Sequence, residues 1–328
     1  MPNKHNAERR HHIAKVNRTV TNWPEYEAGL RRRGSLTLGI TEDAISAWYA
    51  APRATPGGQA TYSDGAIETC LMLRTAFKLP LRQAEGLMCS VVELLGRELA
   101  VPDHSTVSRR AMTLPSISEI HLPEGPLHVL IDSTGLKVYG AGEWLVAKHG
   151  QRARRTWRKL HLAVDAHSGQ IVASVLTGQD VDDPSQVGPL LEQIPQEIEI
   201  EQVTADGAYD GEPTYEIIAA RSKDIAVVIP PRATSVESPE LGANASRREV
   251  HVHTLAALGR LGWQEVTDYG QRALVETAMG RYKSIVGSRL RERNDAGQRT
   301  EASIGVAVLN RMLAAGRPTS VRSARSAS

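Results

Sequence analysis

The 328 residues are 41% hydrophobic and 23% charged, with a formal net charge of +2 at pH 7. That is the make-up of a globular chain long enough for two domains of roughly 100–200 residues each. No run of eighteen apolar residues occurs, which excludes a membrane-spanning helix; the polar start MPNKHNAERRHH predicts no secretory signal, and two cysteines, Cys70 and Cys89, suit a reducing cytoplasm.

Residues 1–22 read as a flexible basic arm, and residues 23–125 as a helical domain. Thr41 caps a helix whose first turn holds Glu42 and Asp43, where carboxylates favour the positive end of the helix dipole. The PRATPGG stretch at 52–58 is a break, after which Ser63 or Asp64 opens a helix with Ala66, Cys70, Leu73 and Phe77 at core spacing. Segments 81–88 and 91–99 predict two more short helices. Pro102-Asp103-His104-Ser105 forms a turn and cap before a short helix carrying Arg109 and Arg110. Short helix, tight turn and basic helix fit a DNA-reading helix-turn-helix and, equally, a plain helical bundle.

After Pro126 the pattern changes to strands. An apolar run, 128–132, ends in Asp132. Residues 160–166 alternate like a half-buried strand, Asp165-Ala-His-Ser-Gly169 turns, and 171–177 returns. Asp183-Pro184 starts a helix with Asp183 as its cap. Residues 197–203 alternate again and run into Ala205-Asp206-Gly207. A helix at 213–220, a strand at 225–229 and helices at 249–261, 268–287 and 298–314 follow, with a disordered tail at 317–328. Three consecutive strands and then strand–helix alternation predict a mixed five-stranded sheet with helices on its faces.

Charge is unevenly distributed along this layout. Residues 126–247 carry 11 Lys and Arg against 17 Asp and Glu, and residues 248–328 carry 13 against 7. Inside the acidic stretch lies one all-basic block: Lys148, Arg152, Arg154, Arg155, Arg158 and Lys159. Such a block either grips a polyanion or is a solvated surface run.

In the expected topology the first and fourth strands are parallel neighbours, so Asp132 and Asp206 emerge at the same end of the sheet. At roughly 100° per residue, Tyr269, Arg272, Glu276 and Lys283 share a narrow arc of one helix, while Leu274, Val275, Ala278, Tyr282 and Ile285 face the sheet. The face either serves chemistry or is a solvated surface with an Arg272–Glu276 pair.

Tyr269-x2-Arg272-x3-Glu276-x6-Lys283 resembles the Y-R-E-K signature of bacterial insertion-sequence transposases of family five. Asp132-Ser-Thr-Gly135 and Ala205-Asp-Gly-Ala-Tyr209 resemble that family's first and second acidic motifs. Further similarity lies in Leu160-His-Leu-Ala-Val-Asp165, Leu309-Asn-Arg-Met312 and Arg32-Arg33-Gly-Ser-Leu36. The resemblance implies an α/β, ribonuclease-H-like catalytic domain at 126–316 with the triad Asp132, Asp206 and Glu276. It implies two Mg²⁺ ions, replaceable by Mn²⁺, that support cutting at terminal inverted repeats and joining of the 3′-hydroxyl to target DNA. Arg272 and Lys283 would hold phosphates and Tyr269 would position the strand. The block from Lys148 to Lys159 would grip backbone near the site, and Arg109 and Arg110 would lie in the end-reading domain.

The implied partners are double-stranded DNA and a second copy of the chain, in a bacterial cytoplasm at the nucleoid. Competing readings are a silent, domesticated DNA-binding protein and a ribonuclease-H-like nuclease without strand transfer. His251-x-His253 lacks a third zinc ligand and reads as structural.

Overall fold

Arg18–Val20 (β1) and Ser320–Arg322 (β8), at opposite ends of the sequence, pair as an antiparallel ladder in the computed structural model. The structure describes residues 18–36, 40, 42–54, 56–115, 122–138, 157–232 and 245–322. It divides into two units, residues 1–38 with 311–328 and residues 39–310.

In the first unit, Thr21 N–H donates to the Thr319 carbonyl at 2.8 Å, and the Asn22 side chain bonds Thr319 N–H and the Arg317 carbonyl. Helix α1 (Trp23–Arg32) places Gly29 against Ala315 and Gly316, where a Cβ would sit 2.8 Å from backbone atoms, so only glycine permits the approach. Arg33 donates to the carbonyls of Met312 and Gly316. Residues 18–22 and 317–322, expected as arm and tail, are therefore paired backbone. Their partner lies about 300 positions away and leaves no local signal. Residues 1–17 and 323–328 lie outside the described residues.

The second unit begins with four helices: α2 (Glu42–Ser46), α3 (Asp64–Ala76), α4 (Leu81–Leu94) and α5 (His104–Ala111). Ser63 caps α3 through Ala66 N–H at 3.1 Å, and Asp103 caps α5 through Ser105 and Thr106 N–H. Thr41 lies outside the described residues. The two short helices expected at 81–88 and 91–99 are one helix, because Cys89 and Ser90 do not break it. The chain turns out of it only at Leu95 and Gly96, the latter at φ +62°. Nine residues then separate α4 from α5, against the roughly 3–4-residue turn of a helix-turn-helix. Glu85 spans the gap, accepting from His104 N–H at 2.9 Å and bonding its ring Nδ1 at 2.8 Å.

The sheet contains β2 (Leu127–Val138), β3 (Trp157–Asp165), β4 (Ile171–Gly178), β5 (Ile200–Ala205) and β6 (Ala226–Val228) in the order β4-β3-β2-β5-β6. The β2–β3 and β3–β4 pairs are antiparallel; β2–β5 and β5–β6 are parallel. This is the expected ribonuclease-H-like arrangement, with the two-residue strand β7 (Arg289–Leu290) added beside Lys137 and Val138. The remaining helices are α6 (Val187–Leu191), α7 (Glu212–Arg221), α8 (Arg247–Val266), α9 (Ala273–Arg281) and α10 (Asp295–Ala314).

Alternate residues of the central strands feed two separate cores, as period-two side-chain geometry demands. Val129, Ile131, Ala163 and Val203 pack with Leu190 of α6 and Ile218 of α7. Leu130, Leu162 and Val164 pack on the other face with Val275 and Met279 of α9 and Val306 of α10. Among the described residues no helix is long and apolar enough to cross a membrane.

Candidate active site

Strand β2 does not end at Asp132 as expected but runs on to Val138, because β3 continues its antiparallel ladder as far as Lys137 opposite Trp157. Its parallel partner β5 stops earlier, at Ala205, which pairs with Ile131. Asp132 and Asp206 are thus the next residues on two adjacent parallel strands, at the point where one strand leaves the sheet. Asp206 leaves as the cap of a 3-10 turn (Gly207–Tyr209), its carboxylate accepting Ala208 N–H at 2.8 Å. Asp132 accepts the N–H of Ser133 at 2.7 Å.

The segment read as one helix over 268–287 is three pieces. Asp268 adopts a left-handed φ of +48°, tolerable for aspartate, and starts a 3-10 turn (Tyr269–Arg272). Then α9 follows, and a π-helical turn (Tyr282–Val286) replaces its expected end. Regular angular spacing therefore fails across the segment, though Arg272 and Glu276 keep their one-turn relation. Val275, Ala278 and Tyr282 are buried against the sheet as expected; Leu274 is exposed.

Arg272 is the hub. Its guanidinium donates to Asp132 Oδ2 at 2.8 Å through one terminal nitrogen and to Glu276 Oε1 through the other. The Tyr269 ring backs it, 5.9 Å from the guanidinium carbon. Tyr269 packs in turn on fully buried Trp263 at 5.2 Å. Trp263 donates to His251 Nδ1, while His251 Nε2 donates to the Val227 carbonyl, so His251 is structural, as expected from the missing third ligand.

Burial raises the pKa of Asp132; Ser133 N–H and Arg272 pull it back down, and the charge of Asp206 pushes it up again. Burial works against the charged Arg272, yet Tyr269, Asp132, Glu276 and Asp206 together outweigh it and hold the guanidinium protonated. The Tyr269 hydroxyl is raised first by burial.

Three carboxylates offer the hard oxygens that Mg²⁺ and Mn²⁺ prefer, so the donor set fits. In the arrangement seen here a guanidinium stands between two of them, and among the described residues no three His, Cys, Asp or Glu side chains gather closely enough to hold one ion.

The other expected contact residues divide. Lys283 is exposed on the π turn. Arg109 is exposed and shares a surface groove with Arg82, Gln83, His104 and Ser108; Arg82 escaped the sequence reading because it sits in an ordinary helix start. Arg110 is occupied by Asp64 and by the Tyr62 carbonyl at 2.9 Å, tying α5 to α3. Arg158 is engaged by Gln298 at 2.9 Å and Asp295 at 3.0 Å. Lys159 bonds the Val181 carbonyl and Asp183. Lys148, Arg152, Arg154 and Arg155 lie outside the described residues.

Asp183 corrects one reading. It makes no side-chain cap hydrogen bond; instead it accepts from the Ser133 hydroxyl at 3.0 Å and pairs with Lys159 at 3.1 Å. Arg260, which no sequence motif marks, is an exposed cation within electrostatic reach of Tyr269.

Two family models, each described as "Transposase DDE domain", match this chain, one over residues 31–141 and one over residues 123–311. Among solved structures, the chain is similar to a piggyBac transposase synaptic complex with hairpin DNA, determined by cryo-electron microscopy. The TM-score is 0.40 at 12% identity, covering 90% of this chain and 77% of that one.

Proposed function

The chain belongs to the family of transposases with a DDE domain, and from that premise we propose that Asp132, Asp206 and Glu276 are its catalytic acids. In this reading the protein cuts DNA at the terminal inverted repeats of an insertion sequence and joins the 3′-hydroxyl ends to target DNA. The observation that carries it is the Arg272 guanidinium shared by Asp132 and Glu276, beside the strand end that delivers Asp206.

Asp132, Asp206 and Glu276 would hold a pair of divalent ions, Mg²⁺ or Mn²⁺, which when bound activate the attacking oxygen and stabilise the leaving one. The chain's own groups do the rest. Ser133 N–H aims the Asp132 carboxylate. Arg272 presents a planar fork suited to bidentate binding of a phosphate, so it passes from the carboxylates to the DNA backbone as substrate enters. Tyr269 stacks behind that guanidinium and limits its swing. Lys283 adds a second cation for phosphate. The groove with Arg82 and Arg109 contacts backbone in the helical domain, residues 23–125, where positioning rather than sequence reading is expected of such contacts. Two ends must be brought together, so the working form is a dimer or larger assembly on DNA.

The test is cleavage and joining of duplex oligonucleotides carrying the DNA that flanks the gene. Asp132→Asn, Asp206→Asn and Glu276→Gln should each lower the rate by about 10³-fold or more while the protein stays folded. Cleavage at the wild-type rate by any of the three overturns the assignment.

A further inference from the structure

On the opposite face of β2 from the Asp132 carboxylate, the sheet carries a stripe of polar residues where the pattern calls for apolar ones. Ser133 lies directly across from His161 in the β2–β3 register, and His161 lies next to Lys159 along β3's own face, with Thr177 of β4 paired to Lys159. His161 is fully buried, its Nε2 bonded to the Thr177 hydroxyl at 2.8 Å. Its Nδ1 finds no hydrogen-bond partner, and points to Asp183 Oδ1 at 3.9 Å. Buried polar groups are costly, and an otherwise consistent sequence retains them where they do something.

Ser133, Lys159 and His161 converge on Asp183, which returns over the sheet after β4. Its two oxygens are divided between two tasks. Oδ2 accepts the Ser133 hydroxyl at 3.0 Å, and Oδ1 pairs with the Lys159 ammonium at 3.1 Å. Lys159 is held in turn by the Val181 carbonyl at 2.7 Å. Ser133 is the residue whose N–H aims the Asp132 carboxylate. Tyr209, in the turn capped by Asp206, is buried beside the same charges, and its hydroxyl interacts with the Ser133 side chain.

We propose that Asp183 is a positioning residue for the catalytic centre: anchored by Lys159, it fixes Ser133 and through it the direction of the Asp132 carboxylate. The proposal rests on Asp132 being a metal-holding acid. Asp183 itself stays behind the strand and touches neither DNA nor ion. Partners of this kind orient metal-holding side chains, and their loss weakens metal affinity or activity by about 10–100-fold in other proteins.

The experiment uses the full chain and two variants of unequal severity, Asp183→Asn and Ser133→Ala. Ser133→Ala removes the tether but keeps the backbone N–H and the buried charges, so it decides the matter even if Asp183→Asn unfolds. Each variant is titrated with MgCl₂ and with MnCl₂ in a cleavage assay on flanking-sequence duplex, and thermal unfolding is followed alongside. The half-saturating Mg²⁺ concentration should rise about 10-fold in both, with the half-saturating DNA concentration and the Ser133→Ala melting temperature unchanged. Wild-type Mg²⁺ dependence in Ser133→Ala overturns the proposal, as does a shift in DNA half-saturation in place of the Mg²⁺ shift. Asp132→Asn is run beside them: if it cleaves normally the catalytic reading itself has failed, whereas an inactive Asp132→Asn with an unperturbed Ser133→Ala condemns the Asp183 role alone.

Discussion

The two faces of β2 carry charge at the same level of the sheet and treat it in opposite ways. On the α9 face, Asp132 is half-buried, and its partner is an arginine at the start of a helix, itself shared with an exposed glutamate. On the other face, the Ser133 hydroxyl, Lys159 and His161 surround Asp183 through mostly buried contacts anchored in two strands, β2 and β3. One arrangement can exchange partners; the other is held by the sheet. In the proposed reading, the face that would admit a cation keeps its charges loosely compensated, while the groups proposed to aim it are held behind the strand. Low dielectric strengthens a satisfied network and makes an unsatisfied one expensive.

Removing the exchangeable partner should have the largest effect. Arg272→Gln frees Asp132 and Glu276 of their shared cation, so calorimetric titration of the DNA-free protein should show tighter Mg²⁺ binding than in wild type. The same variant should cleave more slowly by about 10²-fold, since the phosphate donor is gone. Arg272→Lys should not restore cleavage, because a point charge cannot bridge two acceptors with a planar fork. Unchanged Mg²⁺ affinity in Arg272→Gln would mean that the guanidinium does not compete for the acids.

The locked face predicts a smaller effect on stability, with a definite sign. His161 is held neutral with its pKa down at about 4, above all by burial. An unfolded histidine takes its proton near pH 6.5. The folded value is the lower one, so the unfolded chain binds the proton first as pH falls. This contribution is fully present above about pH 6.5 and is lost between there and about pH 4. It amounts to about 3 kcal/mol at most. Urea unfolding at pH 7.5 and 4.5 should therefore show a smaller acid loss for His161→Gln than for wild type. Equal losses would place His161 outside the stability balance.

Much of the exchangeable face was legible in the sequence, because its residues obey topology. The strand order alone makes β2 and β5 parallel neighbours, and Ile131 opposite Ala205 brings the two aspartates side by side. Arg272 and Glu276 are one helical turn apart whatever the flanking turns do. The locked face was not legible. Asp-Pro is a helix-start signal, so Asp183 reads as a cap, and nothing local shows that its side chain turns to a serine fifty positions earlier.

Two residues of the basic block show a related limit. Arg158 and Lys159 look like solvent-facing cations, but they lie on a central strand whose neighbours Gln298, Asp295 and Asp183 claim them. Arg110 was claimed in the same way by Asp64. Long-range partners decide whether a positive charge is free, and one-dimensional spacing carries no record of them. The same holds for the irregular site helix: Tyr269, next to left-handed Asp268, packs on Trp263, and Tyr282, which opens the π turn, is buried in the core.

The central claim is that Asp132, Asp206 and Glu276 serve one ion-binding centre. Iron-directed cleavage tests it most directly: the full chain on flanking-sequence duplex is loaded with Fe²⁺ in place of Mg²⁺ and treated with ascorbate, so that radicals cut the polypeptide beside the bound ion. The account predicts cuts near residues 132, 206 and 276 together, all suppressed by excess Mg²⁺. Cuts at only one of these segments, or elsewhere and indifferent to Mg²⁺, would contradict it.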